Sequence, residues 1–247
     1  MGDLEPGLMA DLTPGPTPDR SFDLIIFDND GVLVDSETLS NQVLSRLLTL
    51  HGLPTTFEES VATYLGRSMP SVLAVAEAKL GRPIPEDIIG QYIDELYAMF
   101  ETELTSVRGI EQVLGVLEGA GLRKCVASSG SPRRISLTLV VTGLAGYFGS
   151  DVFSASEVEH GKPAPDLFLH AARQMGVEPD RCAVIEDSPL GIEGGNAAGM
   201  TTFGYAAMTP AERLSEASGG VFSDMHDLPR LLGLDRATND SAVTGLA

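Results

Sequence analysis

Two aspartates, Asp28 and Asp30, stand one residue apart in the stretch "FDNDGVLVDSE", directly after the apolar run Leu24-Ile25-Ile26-Phe27. A strand alternates its side chains between faces, so residues two apart point the same way. If the strand ends here, the two carboxyl groups lie near each other in the loop beyond it. Like charges so placed repel unless a cation lies between them or one holds a proton. Asn, Asp and Gly also favour turns, so the stretch taken alone reads equally well as an ordinary Asp-rich turn.

Three further segments change the balance. The run "KCVASSG" ends in Ser128, Ser129 and Gly130, the run "CAVIEDS" ends in Glu186, Asp187 and Ser188, and "HGKPAPD" supplies Lys162 ahead of a proline-bounded helix. Ser or Asp at one strand end is usually a helix cap. In an open parallel α/β sheet, however, ligands bind beyond the carboxyl ends of the strands. Four polar ends at one edge bring together carboxylates, a hydroxyl and an ammonium. Phosphoryl transfer suits that set. Clustered carboxylates with no His or Cys beside them select a hard cation, with Mg2+ the common choice. A carboxylate can serve as nucleophile, and the second acid can protonate the leaving alcohol and then activate water. Lys162 and Ser128 would hold the phosphoryl oxygens, with the backbone N–H groups of the Asn29–Gly31 turn closing the cradle.

The elements that must position these residues are legible as short apolar runs alternating with helical patterns. The expected strands are "DLIIFD", "KCVASS", "DVFSA", "CAVIED" and "TTFGYA". Helical spacing follows in "SPRRISLTLVVTGL", "LFLHAARQMG" and "PLGIEGGNAAGM", the last rich in small residues that suit close packing on a sheet. The pattern predicts an α/β fold, a doubly wound, Rossmann-like parallel sheet. Residues 36–106 break the rhythm with helical spacing throughout, which predicts a helical domain inserted between the first two strands. The core then comprises residues 21–35 and 107–235, and the chain crosses between the units near residues 34–36 and 105–109. Residues 1–20 and 236–247 lack periodicity and read as a flexible leader and tail.

Composition narrows the function classes. The 247-residue chain is 43% hydrophobic with a net charge of −19, which argues against a nucleic-acid or anionic-membrane surface. A local cation with a few Lys or Arg still permits an anionic substrate. Its two cysteines, Cys125 and Cys182, lie in apolar runs and read as buried free thiols, and no zinc-type spacing is present. With no membrane-length apolar run and no signal-peptide pattern, a cytoplasmic monomer is expected.

"DNDGVLVDSE", "VASSG", "GKPAPD" and "VIEDS" resemble, in order and context, the four motifs of the haloacid dehalogenase-like hydrolases. The resemblance spans the core from Phe22 to Gly204, and the inserted helices match that family's C1 cap in placement and size. Among its members the chain looks most like the phosphoglycolate phosphatase, β-phosphoglucomutase and sugar-phosphatase branch. The resemblance implies Asp28 as nucleophile and Asp30 as general acid/base. It implies a Mg2+ site of Asp28, Asp187 and the main-chain carbonyl of Asp30, with Glu186 beside it. It implies a phosphoryl cradle of Ser128, Ser129, Lys162 and the Asn29 backbone. The implied partner is a small phosphorylated metabolite such as a sugar phosphate, a polyol phosphate or phosphoglycolate.

Family members that act as dehalogenases lack the second acid, so Asp30 argues against that chemistry. β-Phosphoglucomutases carry a histidine where this chain has Ser40, which favours water as the acceptor. A mutase and a non-catalytic phosphate-binding protein stay open as alternatives. In the insertion, "YLGRSMPS" places Arg67 in a Gly-preceded loop of the kind that reaches a leaving group, and it reads equally as a solvated residue. Arg133 and Arg134 read as surface helix positions, or as contacts for a second anion. His160 is expected near the site, while His51 and His170 read as structural or exposed.

Overall fold

The computed structural model describes residues 22–85 and 87–234. The leader and tail expected at residues 1–20 and 236–247 lie outside them. Six parallel strands form one sheet: β1 (Leu24–Phe27), β2 (Arg123–Ser128), β3 (Val152–Ser154), β4 (Cys182–Glu186), β5 (Thr201–Tyr205) and β6 (Gly220–Phe222). Their order is β3-β2-β1-β4-β5-β6. Five of the six occupy the apolar runs marked in the sequence. The sixth has three residues, of which only Phe222 is buried, so it lacks the continuous apolar run that identifies an inner strand.

The order fixes where a site can form. The chain leaves β1 to build β2 and β3 on one side, then returns to build β4, β5 and β6 on the other. The crevice beyond β1 and β4 is therefore the topological switch point. β1 is fully buried on both faces. Ile25 and Phe27 face one layer with Val126, Ala183 and Ile185, while Leu24 and Ile26 face the opposite layer with Cys125 and Val184. The first layer includes helices α5 (Ile110–Gly119) and α6 (Pro132–Val141), and the second includes α8 (Asp166–Met175). Each large apolar side chain buried this way contributes about 1.5–3 kcal/mol, so β1 is a rigid base for the acids that follow it. Both cysteines are buried and unpaired.

Four helices separate β1 from β2: α1 (Ser36–Leu50), α2 (Phe57–Tyr64), α3 (Met69–Leu80) and α4 (Ile88–Glu103). α1 packs on α2 and α4 through Leu39, Val43, Leu47, Leu96 and Phe100. The short α2 begins in a capping box, with Thr56 accepting from the Glu59 N–H and Glu59 accepting from the Thr56 N–H. Where the chain leaves and re-enters the sheet layer, Val34 and Ser106 form an antiparallel bridge. The Asp35 N–H donates to the Thr105 carbonyl at 3.0 Å, and the Val107 N–H to the Leu33 carbonyl at 2.9 Å. These contacts join the two crossing segments in one hydrogen-bonded neck.

The remaining helices are α7 (Ala145–Phe148), α9 (Pro189–Ala197) and α10 (Leu228–Leu231). α9 carries the small residues that the sequence suggested for close packing, and Gly195 shows why. A Cβ there would lie 2.5 Å from Thr202 Cγ2. Thr202 is not free to turn away, because its hydroxyl donates to Asn196 Oδ1 at 2.8 Å and accepts from the Ser218 N–H at 3.0 Å. Gly195→Ala is therefore expected to cost about 1–3 kcal/mol, read as a lower urea midpoint. An unchanged midpoint would mean that α9 can shift off the sheet at no cost.

Candidate active site

Strand β1 delivers Asp28 to the switch point, where the Asp28 N–H still donates to the Ile185 carbonyl at 3.0 Å. The turn that follows is closed from within: the Gly31 N–H donates to the Val34 carbonyl at 2.9 Å, and the Leu33 N–H to the Asn29 carbonyl at 3.0 Å. Gly31 has φ 77°, and a Cβ there would fall 2.0 Å from Asp187 Oδ2. Only glycine allows both that backbone and that approach. The turn thereby admits Asp187, from the end of β4, to the side of Asp28. Asp28, Glu186 and Asp187 present carboxylate oxygens that lie within 4.8 Å of one another.

Lys162 lies across this cluster. Its Nζ donates to Asp28 Oδ1 at 2.6 Å and to Glu186 Oε1 at 2.5 Å, with all three side chains largely buried. Glu186 is held from its other side, accepting from the Ser188 N–H at 3.0 Å and the Ser188 hydroxyl at 2.8 Å. Burial pushes Asp28 up to about 7, with Lys162 opposing and the charges of Glu186 and Asp30 reinforcing the rise. Asp187 is raised well above the ordinary carboxylate range by burial and by the charges of Glu186 and Asp28. Burial alone would lower Lys162, yet Asp28 and Glu186 hold it above its ordinary value.

Asp30 faces elsewhere. Its carboxylate accepts from Arg134 Nη2 at 2.7 Å and Nε at 3.1 Å, and from the Ser36 hydroxyl at 2.6 Å. Burial would raise Asp30, but Arg134, Ser36 and Asn29 outweigh it and hold the group below its usual value. The surface reading of Arg134 is thus corrected. It is half-buried in the site, and its guanidinium stacks 5.0 Å from the Phe100 ring of α4. Arg133 is exposed and stacks over Tyr97 at 5.4 Å.

A cavity of about 470 Å³ opens over these groups, lined by Asp28, Asp30, Ser128, Ser129, Lys162, Glu186 and Asp187 from the sequence prediction, and by Arg67 from the insertion. Ser128 is buried, and its Oγ accepts from the Gly130 N–H at 3.0 Å. Ser129 is exposed. The Asn29 side chain, which the expected backbone cradle does not use, is buried and donates to Thr138 Oγ1 at 3.1 Å. One expectation about that cradle needs correction. The Gly31 N–H is committed to Val34, so it cannot serve an anion cradle while that bond holds. His160 is absent from the cavity lining; its side chain is exposed beside Asp166. Glu37, Thr209 and Arg213 line the cavity without having been singled out. Of these, Glu37 carried a local signal, since it closes the same "DNDGVLVDSE" stretch. Burial and the Asp30 charge raise its carboxyl to about 7.

A haloacid dehalogenase-like hydrolase model matches residues 22–199. The chain belongs to this family. It is 25% identical over 211 residues to the 6-phosphogluconate phosphatase of Escherichia coli (strain K12), covering 85% of this chain and 94% of that protein. It is 32% identical over 177 residues to the fructose-1-phosphate phosphatase YqaB of the same strain, covering 71% of this chain and 92% of that one. A hydrolase of the family from Deinococcus radiodurans R1, solved with bound phosphate and sodium, superposes with a TM-score of 0.76. It is 32% identical, and the match covers 87% of this chain and 98% of that one.

The hard oxygen donors of Asp28, Glu186 and Asp187, and the glycine turn that lets Asp187 close in, fit a divalent cation. Their electrostatics give a test. A carboxyl whose folded pKa is raised keeps its proton to higher pH than in the unfolded chain, so stability is greatest at low pH and falls as pH rises through the folded value. For Asp28 that window runs from 3.8 to about 7. A cation that needs the ionised carboxylates should offset the loss. Mg2+ is therefore expected to raise the melting temperature more at about pH 8 than at about pH 5. Asp187→Asn should remove most of the pH 8 shift. An equal shift at both pH values, or one retained in the variant, would place the ion elsewhere.

Proposed function

We propose that this hydrolase is a Mg2+-dependent phosphatase of small phosphorylated metabolites, sugar, polyol or short-acid phosphates, working through an aspartyl-phosphate on Asp28. The observation that carries the reading is Lys162 Nζ at 2.6 Å from Asp28 Oδ1, with Ser128 and the carboxylate cluster lining the same cavity. The names of the two relatives, both sugar-phosphate phosphatases, support the substrate class. Bound phosphate in the Deinococcus radiodurans structure supports the ligand chemistry. Among the described residues no helix is long and apolar enough to cross a membrane.

In the first half-reaction an Asp28 oxygen attacks phosphorus and the ester P–O bond breaks. The leaving oxygen takes a proton from Asp30. In the second, water gives a proton to Asp30 and attacks phosphorus, releasing phosphate and regenerating the Asp28 carboxylate. Lys162 and Ser128 orient the phosphoryl oxygens. Asp28, Asp187 and the Asp30 main-chain carbonyl would hold the cation, with Glu186 beside it. When bound, the cation supplies positive charge against the phosphoryl oxygens and the clustered carboxylates. Water is the acceptor in this reading. Ser40, where mutases of the family carry histidine, is buried on α1 and lines a cavity of about 240 Å³ that adjoins the active-site cavity and shares Glu37, Arg67 and Arg134 with it.

Phosphate release from a panel of esters should require Mg2+, stop with EDTA, and fall to background in Asp28→Asn. Asp30→Asn should lose at least about tenfold more activity on alkyl than on nitrophenyl phosphates, because nitrophenolate leaves without a proton. Equal losses on both would remove Asp30 as the general acid. Conversion of a hexose 1-phosphate to its isomer with little free phosphate would make the protein a mutase instead.

A further inference from the structure

The buried Glu186 carboxylate has a partner on every side but one. Its Oε1 accepts from Lys162 Nζ at 2.5 Å, while Oε2 accepts from the Ser188 N–H at 3.0 Å and the Ser188 hydroxyl at 2.8 Å. The remaining side lies against Gly191, in the first turn of α9. A Cβ on Gly191 would fall 1.9 Å from Oε1 and from Cδ, and 2.4 Å from Oε2. All three atoms of the carboxylate thus rest on a bare α-carbon. Gly191 does not have a positive φ, so alanine could adopt its backbone. What alanine could not do is share the space.

Two features keep α9 from making room by moving. Ser188, its N-cap, is tied to both partners, because the hydroxyl that donates to Glu186 also accepts from the Gly191 N–H at 3.1 Å. The next residue, Ile192, is buried against Leu214 and Ala217. One turn further on, Gly194 brings α9 close to the loop that carries Lys162. A Cβ there would lie 3.1 Å from the Pro163 carbonyl oxygen and 3.2 Å from that of Ala164. The helix therefore meets both ends of the Lys162–Glu186 ion pair, the acid at Gly191 and the segment behind the lysine at Gly194. Lys162 in turn reaches Asp28 Oδ1 at 2.6 Å. With the helix held, the group that must yield to a side chain at position 191 is the carboxylate, and Oε1, which takes Lys162, is one of its two nearest atoms.

We propose that Gly191 is a positioning residue of the active site: its missing side chain is the seat of the Glu186 carboxylate, and through Glu186 it fixes Lys162 beside Asp28. The inference rests on the phosphatase reading and deepens it. An ammonium on a flexible four-carbon stem has no fixed direction of its own, so its aim comes from its partners. A displaced Glu186 leaves Lys162 Nζ held by Asp28 alone. A lysine drawn onto the nucleophile is no longer placed to orient the phosphoryl oxygens. Gly191 thus acts on the chemistry through two other residues, without touching substrate.

A double-mutant cycle separates this role from plain packing. Gly191→Ala, Glu186→Ala and the double variant are compared with wild type on nitrophenyl phosphate with Mg2+, an ester whose leaving group takes no proton from Asp30. Gly191→Ala is expected to lower kcat/KM by about tenfold or more in the wild type, and by less than about twofold in Glu186→Ala, where nothing remains for the methyl group to strike. Urea midpoints of the same proteins without Mg2+ give a second reading. Gly191→Ala should lower the midpoint of the wild type and leave that of Glu186→Ala equal or higher, since alanine is the better helix former. An equal midpoint loss in both backgrounds would make Gly191 a packing residue of α9 and overturn the proposal, as would wild-type activity in Gly191→Ala. Should Glu186→Ala release no phosphate, the midpoint cycle and the activity of Gly191→Ala decide together. No phosphate from the wild type would overturn the phosphatase reading, and with it the catalytic consequence drawn from the seat, while the midpoint cycle still tests the seat itself.

Discussion

The site is organised around charge repulsion that the fold does not relieve by itself. Asp28, Glu186 and Asp187 are held together at the end of a fully buried strand pair, and Lys162 is the one ammonium set among them. Burial and mutual repulsion raise Asp28 and Asp187, so their full ionisation works against the folded state. A protein that only needed to fold would place fewer acids there. The rigidity of β1 and β4 is what keeps the carboxylates from moving apart, and their register, Phe27 against Ile185, sets Asp28 beside Glu186 and Asp187. The apolar core thus sustains an electrostatic arrangement that a cation and a phosphoryl group would complete.

Much of this was legible in the sequence because a parallel sheet converts chain order into spatial order. Asp28, Ser128 and Glu186 each end or follow an apolar run, and parallel strands present the same end to one edge. Lys162 follows β3 for the same reason. Small residues in "PLGIEGGNAAGM" announced the close packing of α9, where Gly195 meets Thr202. The capping box of α2 was also present in "TTFEES", although eight residues give little periodicity to recognise.

What the sequence did not disclose depends on tertiary approach. Arg134 lies 104 residues from Asp30, and nothing local distinguishes it from the adjacent, exposed Arg133. The two differ only in which way the first turn of α6 faces. Asn29 looked like a loop residue with its backbone on offer, yet its side chain turns inward to Thr138, because the turn is wound through Gly31 rather than left open. Arg213 stands in a short 3-10 turn with no repeat to mark it, and the buried Leu214 next to it decides where it sits.

Arg134 joins the two halves of the chemistry. Its pairing favours the ionised form of Asp30, which is the form that activates water. The proton that an alkoxide leaving group needs is disfavoured for as long as the pair holds. The two roles proposed for Asp30 therefore call for two settings of one guanidinium. Arg134 also stacks on Phe100, and Phe100 belongs to α4 of the insertion, whose connection to the sheet runs through the neck at Val34 and Ser106. The contact with Phe100 on one side and the ion pair with Asp30 on the other place Arg134 where the insertion meets the acid–base group.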